Sequence, residues 1–241
     1  VEAWCDRFNL KWQGFKSAEG DSEMFMTALQ TQLDQGTDFF VLDPDITIFP
    51  AIQEVFANYP DAIFMSHMGC ARDGMEGEGI PMGGNLIRPF VGNDYYGGGV
   101  LCGEKLYNWL KETHPEAKPE EVGAIFMDLT TSPQLHYRYQ GALDKYTELM
   151  GSDNNCYSID LTAYGLSIQA GIDASSPIIT TNTDIKYWLV FGLIDDTAQG
   201  AATVIDQVAL TDNSCVVAIG GEGLRVQCDA GQFNAYRYAY F

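Results

Sequence analysis

The chain has 241 residues, 46% hydrophobic and 12% aromatic, with 13 Lys+Arg against 33 Asp+Glu for a formal net charge of −20. A chain this apolar buries enough surface to offset its ordering entropy, which excludes disorder, and the length fits one large domain or two small ones. The acid excess excludes a nucleic-acid backbone as partner and supplies no basic run to hold an anionic membrane.

In chain order, residues 1–10 lack the basic and apolar regions of a signal peptide, and no later stretch reaches the roughly 18 apolar residues of a membrane span. The chain starts on Val1 and stops at Phe241, and it is read as incomplete at both ends. Residues 10–17 are expected as a strand of mixed character. Phe25, Leu29 and Leu33 recur every fourth residue, with Asp21, Ser22 and Glu23 before them and Gly36 after them, which predicts a capped helix over 22–35. A short apolar strand over 39–42 stops at Asp43-Pro44-Asp45. Ile48, Ile52, Val55 and Tyr59 form a helical face closed by Pro60, and strands follow at 62–68 and 89–92. Glycines crowd residues 70–98, which reads as a surface loop and a crossover between lobes.

The second part repeats the alternation. Helices are expected over 98–113, along Leu135, Tyr139, Ala142, Tyr146 and Leu149, and over 196–207; strands are expected at 122–129, 156–161, 187–193 and 215–220. Unbroken apolar strands alternating with helices mean parallel sheets covered on both faces. The expected fold is therefore α/β and two-lobed, each lobe a doubly wound parallel sheet flanked by helices. The lobes are placed at residues 1–95 and 96–220, with 221–241 as the start of a segment returning to the first lobe. The six cysteines, Cys5, Cys70, Cys102, Cys156, Cys215 and Cys228, show no metal-ligand spacing. They read as buried free thiols, with disulfides as the alternative.

Ligands in such sheets bind beyond the carboxyl ends of the strands. The residues that follow the expected strands are Asp43 and Asp45, then Ser66 and His67, then Asn93, Asp94, Tyr95 and Tyr96. In the second lobe they are Asp128 to Ser132 with Arg138 a turn into the next helix, then Tyr164, then Asp195 and Asp196, then Glu222. Carboxylates, a guanidinium and aromatic faces suit the hydroxyls and C–H surfaces of a carbohydrate. Each has a structural alternative: the aspartates as helix caps, His67 as a hydrogen-bonded structural histidine, Arg138 paired with Asp144 or Glu148. Gly97-Gly98-Gly99-Val100-Leu101-Cys102-Gly103 misses the dinucleotide spacing, and no hydrolase, zinc-protease or P-loop motif is present. No cofactor and no metal are expected.

Four segments resemble type 1 periplasmic sugar-binding proteins in order. They are Gln35-Gly36-Thr37-Asp38-Phe39-Phe40-Val41-Leu42-Asp43-Pro44-Asp45, Val91-Gly92-Asn93-Asp94-Tyr95-Tyr96-Gly97-Gly98, Arg138-Tyr139-Gln140-Gly141, and Gly192-Leu193-Ile194-Asp195-Asp196-Thr197-Ala198-Gln199-Gly200. The resemblance implies that Asp94 and Arg138 bind ligand, with Asp43 and Asp45 on the cleft wall. Ile194 stands where that family has a ligand-binding Asn, and Gly220-Gly221-Glu222 where it has an Asp, so Asp195 or Glu222 is expected to substitute. The family also begins with a central strand that this chain lacks. The implied mechanism is capture without catalysis: two lobes close by hinge bending on a mono- or oligosaccharide, and an ABC permease reads the closed form. A monomer is implied, periplasmic or extracellular and open to lipid anchoring. The alternatives are the effector-binding half of a sugar-responsive repressor, the ectodomain of a sensor, and a sugar-acting enzyme using paired carboxylates.

Overall fold

The computed structural model describes residues 2–15, 21–42, 48–66 and 93–240. The chain divides into two compact units, one containing the described residues up to Ser66 and the other those from Asn93.

In the first unit, α1 (Glu2–Arg7) precedes a stretch without regular structure. Residues 10–15, where a strand is expected, form no ladder with any described strand, and Leu10, Trp12 and Phe15 stay exposed. A strand without a partner leaves its backbone groups to water, so the mixed pattern has nothing to pair with. The Asp21 carboxylate accepts from the Met24 amide at 2.8 Å and opens α2 (Ser22–Asp34). β1 (Phe39–Leu42), α3 (Phe49–Ala57) and β2 (Ile63–Ser66) follow, with β1 parallel to β2 and Phe40 opposite Phe64. Period two sends Phe40 and Phe64 into a core with Leu29, Leu33, Ile52 and Phe56. The Phe56 ring meets Phe40 edge-on and stacks on Phe64, each at 5.4 Å. Phe39, Val41 and Ile63 are exposed on the other face. The strand expected at 89–92 lies outside the described residues.

The second unit is built on a five-stranded, all-parallel sheet of order β4-β3-β5-β6-β7. Its elements are α4 (Tyr95–Thr113), β3 (Val122–Asp128), α5 (Pro133–Met150), β4 (Cys156–Asp160), α6 (Ile168–Thr181), β5 (Tyr187–Ile194), α7 (Asp195–Gln207), β6 (Cys215–Ile219), α8 (Glu222–Asp229) and β7 (Tyr236–Tyr240). Every residue of β3 is buried, as expected of an apolar strand covered on both faces. From β3 the chain steps to β4 on one side, then crosses to β5 on the other and continues outward. Right-handed crossovers then put α5 on one face and α6 and α7 on the other, which agrees with the packing of α4 against α5 and of α6 against α7.

Three elements of this unit differ from the sequence reading, α6, α8 and β7. α6 has no expected counterpart: Gly171, Ser175, Ser176, Pro177 and a β-branched end give it poor helix propensity. Burial of Ala170, Ala174 and Ile179 holds it instead. Residues 221–241 are set apart in the sequence as a return segment. Here α8 leads into β7, which pairs with β6 from Val216↔Tyr236 to Ile219↔Tyr240 and extends the second unit's own sheet. Alternating Tyr236, Tyr238 and Tyr240 are long enough to cover an edge position, and Tyr236 is buried.

Candidate functional site

The point where strand order reverses lies between β3 and β5, and in open parallel sheets ligands bind beyond the carboxyl ends of the strands at such a point. β5 is irregular at this end. Its register against β6 shifts between Phe191 and Ile194, and buried Leu193 adopts φ 67. A positive φ at a bulky residue is strained, and the bulge re-aims Ile194 and Asp195 at the sheet edge.

Arg138 sits in the second turn of α5. Its guanidinium lies over the Tyr95 ring, 5.3 Å from the centroid, and its buried Nε has no hydrogen-bond partner. It makes no ion pair among the described residues. The two carboxylates that offered a structural alternative are engaged elsewhere: Asp144 accepts from the Tyr96 hydroxyl at 3.0 Å, and Glu148 pairs with Lys145 at 3.0 Å. Burial pushes the Arg138 pKa down, which marks a desolvated cation. Asp94 precedes Tyr95 and caps α4, its Oδ1 accepting from the Gly97 amide at 2.8 Å while the residue remains exposed. Asp94 and Arg138 therefore flank one buried tyrosine at the start of α4.

α4 and α5 pack backbone to backbone here. A Cβ on Gly99 would lie 2.1 Å from the Arg138 carbonyl oxygen, one on Gly103 2.3 Å from that of Ala142, and one on Gly141 2.2 Å from that of Tyr96. Within the glycine run that superficially suggests a dinucleotide loop, Gly99 and Gly103 form a helix-packing seam with Gly141.

Asp195 and Glu222 are also brought together, through the backbone. One Asp195 carboxylate oxygen accepts from the Gly221 amide at 2.5 Å and the Glu222 amide at 3.0 Å; the other accepts from the Tyr236 hydroxyl. Asp195 thus ties α7 to the start of α8 and to β7, with Gly220 and Gly221 at positive φ so that the turn can approach it. Tyr164 is 47% exposed after β4 and stands apart from both pairs. Asp43, Asp45 and His67 lie outside the described residues.

On the other flank of β3 is a polar group that sequence reading passed over, apart from Asp128 and Thr130. Buried Asp128 ends β3, and the Nδ1 of His136 donates to it, 3.0 and 2.9 Å from its two oxygens. Burial pushes the Asp128 pKa up and the His136 bond opposes that. His136 stacks on Tyr139, whose hydroxyl meets the Ser158 hydroxyl at 2.8 Å. Asp160, the register partner of Asp128, accepts from the Thr130 hydroxyl at 2.6 Å and from the Thr162 hydroxyl and amide at 2.6 and 2.9 Å. These bonds, led by that from Thr130, lower its pKa from 3.8 to about 2. Among the described residues no group of three His, Cys, Asp or Glu is arranged to hold a metal ion, and no helix is long and apolar enough to cross a membrane.

Solved structures share this architecture. An ABC transporter periplasmic solute binding protein from Actinobacillus succinogenes 130z with bound D-allose aligns at a TM-score of 0.68 and 18% identity, covering 94% of this chain and 73% of that one. An ABC transporter solute binding protein from Bacillus halodurans C-125 with bound myo-inositol aligns at 0.68 and 16%, covering 96% and 73%. The fold is that of the type 1 periplasmic sugar-binding proteins. A sugar-binding transcriptional regulator of the LacI family from Escherichia coli, complexed with phosphate, shares this fold at a lower TM-score of 0.54, with 13% identity over 83% of this chain and 63% of that one. In sequence, an ABC transporter L-arabinose-binding periplasmic protein of Azospirillum brasilense is 24% identical over 205 residues, 84% of this chain. The chain spans 58% of that relative's length. No family model matches the chain.

Proposed function

We propose that this chain is the sugar-capturing part of an ABC transporter solute-binding protein, with Arg138 and Asp94 as its principal ligand contacts in the second unit. The observation that carries this reading is Arg138 itself. A guanidinium desolvated against Tyr95, with a buried Nε that nothing satisfies, holds donors in waiting for an acceptor that arrives from outside. Sugar hydroxyls supply such acceptors, and the exposed Asp94 carboxylate supplies the complementary acceptor for sugar O–H groups. The carboxyl edge of a parallel sheet at its switch point is where such a ligand binds, and the printed descriptions of the similar proteins name sugars and transport.

The chain works as a binder rather than a catalyst, as a monomer whose partner is a membrane permease. It acts outside the cytoplasmic membrane, with lipid anchoring as a further element of this proposal. The closeness of the transporter proteins, at a TM-score of 0.68 against 0.54 for the regulator, favours transport over repression, as does the −20 charge.

Isothermal calorimetry against L-arabinose, D-allose, myo-inositol and other monosaccharides tests the reading. At least one is expected to bind, unchanged on recovery. Arg138→Met is expected to weaken that binding by about 100-fold, the cost of losing a desolvated charged hydrogen bond, and Asp94→Asn, chosen because Asn still caps a helix, by about tenfold, the cost of losing an exposed charged acceptor. Binding that survives both substitutions overturns the site, and conversion of the sugar to a product overturns the class.

A further inference from the structure

The structure assigns Asp195 as a positioning residue of the sugar site, a clamp whose carboxylate grips the turn after β6 and so holds that turn against the first turn of α4, where Asp94 stands. The functional consequence rests on the capture reading, while the clamp is a property of the ligand-free chain.

α8 opens without a cap of its own. Its N-cap is Gly221, which has no side chain to accept from the first amides, and those amides have no carbonyl to meet inside the helix. Asp195, the first residue of α7, fills the role from outside. One of its oxygens accepts from the Gly221 and Glu222 amides at 2.5 and 3.0 Å. The other accepts from the hydroxyl of Tyr236, a buried residue of β7. A Cβ on Gly220 would lie 2.7 Å from the clamping oxygen, and Gly220 and Gly221 sit at φ 133 and 120, so glycine is what lets the turn close on it. Three protein donors occupy the two oxygens of Asp195. The sequence leaves Asp195 and Glu222 as alternative ligand contacts, and this geometry makes Asp195 the support instead.

The clamped turn reaches the site through α4. The Gly220 amide donates to the Tyr240 carbonyl at 2.8 Å, which fixes the end of β6 beside β7. One residue earlier, the tip of the Ile219 side chain lies 3.1 Å from where a Cβ on Gly98 would be. One turn further along α4, the Cys102 thiol donates to the Ala218 carbonyl at 3.8 Å. Gly98 in turn donates its amide to the Asp94 carbonyl at 2.9 Å, and the Gly97 amide donates to the Asp94 carboxylate at 2.8 Å. A continuous set of contacts thus runs from Asp195 through residues 219–221 to the helix start that carries Asp94 and Tyr95, the ring under Arg138.

Residue-resolved amide exchange by NMR on the ligand-free chain, with calorimetry of the same proteins against L-arabinose, D-allose and myo-inositol, tests the clamp. In Asp195→Ala the Gly221 and Glu222 amides are expected to exchange about tenfold faster than in the wild type, the cost of losing a charged acceptor. Sugar affinity is expected to fall about threefold to tenfold through the released turn. Asp195→Asn keeps an oxygen for the two amides and turns its own amide to the Tyr236 hydroxyl oxygen, so both values are expected to stay within about threefold of the wild type. Tyr236→Phe removes only the hydroxyl that holds the second oxygen, and it decides the case if Asp195→Ala does not fold: exchange at both amides is expected to rise about threefold and affinity to drop with it. Unchanged exchange at residues 221 and 222 in these variants overturns the clamp. Affinity that stays at the wild-type value where exchange has risen overturns the positioning role, and affinity lost with exchange intact overturns it by making Asp195 a ligand contact. A wild type that binds none of the sugars overturns the capture reading, and exchange at residues 221 and 222 then decides the clamp by itself.

Discussion

Two charged side chains at the edge of the second sheet illustrate opposite uses of charge. Arg138 is desolvated with the Tyr95 ring beside it but no ion pair among the described residues, which costs stability; removing it as Arg138→Met should weaken binding by about 100-fold while leaving the melting temperature unchanged or about 2–4 °C higher. Asp160 is compensated in full. Its bonds from Thr130 and Thr162 lower its pKa from 3.8 in the unfolded chain to about 2 in the fold. A depressed carboxylate contributes stability above the unfolded value that is lost as pH falls toward the folded one. Thermal melts between pH 5 and pH 2 should therefore show the wild type losing more stability below pH 4 than Asp160→Asn. Parallel curves for the two proteins would mean that the threonine bonds do not favour the ionised form. Arg138, Asp94 and Asp195 were legible in the sequence because each follows a recognisable strand or helix start. His136 was not, because its partner stands eight residues earlier across a turn, a spacing that belongs to no helical or strand period. Asp195 was legible as a position but not in its use, since its hydrogen bonds reach residues 221, 222 and 236, and no local pattern encodes them.

Strands β1 to β6 could be read at element scale because apolar runs reveal their own burial, whereas the mixed stretch at 10–15 forms no strand and β7 was not foreseen. The role of the glycines could not be read. Gly97, Gly98 and Gly99 are consecutive and chemically identical, yet they face different neighbours once wound into α4. A Cβ at Gly99 would lie 2.1 Å from the Arg138 carbonyl oxygen and 2.9 Å from the Ala142 nitrogen, both backbone atoms of α5 that cannot turn aside. At Gly98 it would meet only the tip of the Ile219 side chain, at 3.1 Å. Gly99→Ala should force the helices apart, lowering unfolding free energy by about 2–3 kcal/mol and disturbing Arg138 with it. Gly98→Ala should gain from the better helix propensity of Ala, by up to about 1 kcal/mol less whatever Ile219 must yield. Urea denaturation of the two variants separates these cases, and equal effects would contradict the seam. The same physics hid α6: its stability comes from burial against α7, where a Cβ on Gly200 would lie 2.3 Å from the Ile168 carbonyl oxygen, rather than from residues that favour a helix.

The two units differ at the scale of the whole molecule in how much of their stability is internal. The second contains a sheet of five parallel strands, helices on both faces, and a core running from Cys102 to Tyr236. The first, over its described residues, has a two-stranded sheet with one face packed by α2 and α3 and with Phe39, Val41 and Ile63 exposed on the other. A two-stranded sheet is marginal without further support, whereas a domain of about 150 residues buries some 68–70% of its unfolded surface and folds alone. Residues 93–241 expressed by themselves are therefore expected to keep α/β circular dichroism and to unfold in one cooperative urea transition. In the full chain, hydrogen exchange should find β1 and β2 opening at lower free energy than β3 and β5. The fragment keeps Asp94, Tyr95 and Arg138 in their common packing, so its Arg138 stays buried against Tyr95 and Arg138→Met should leave its melting temperature unchanged or slightly higher, as expected for the whole protein. A fragment that fails to fold would mean that the second unit depends on residues before Asn93, and that its continuous core does not suffice.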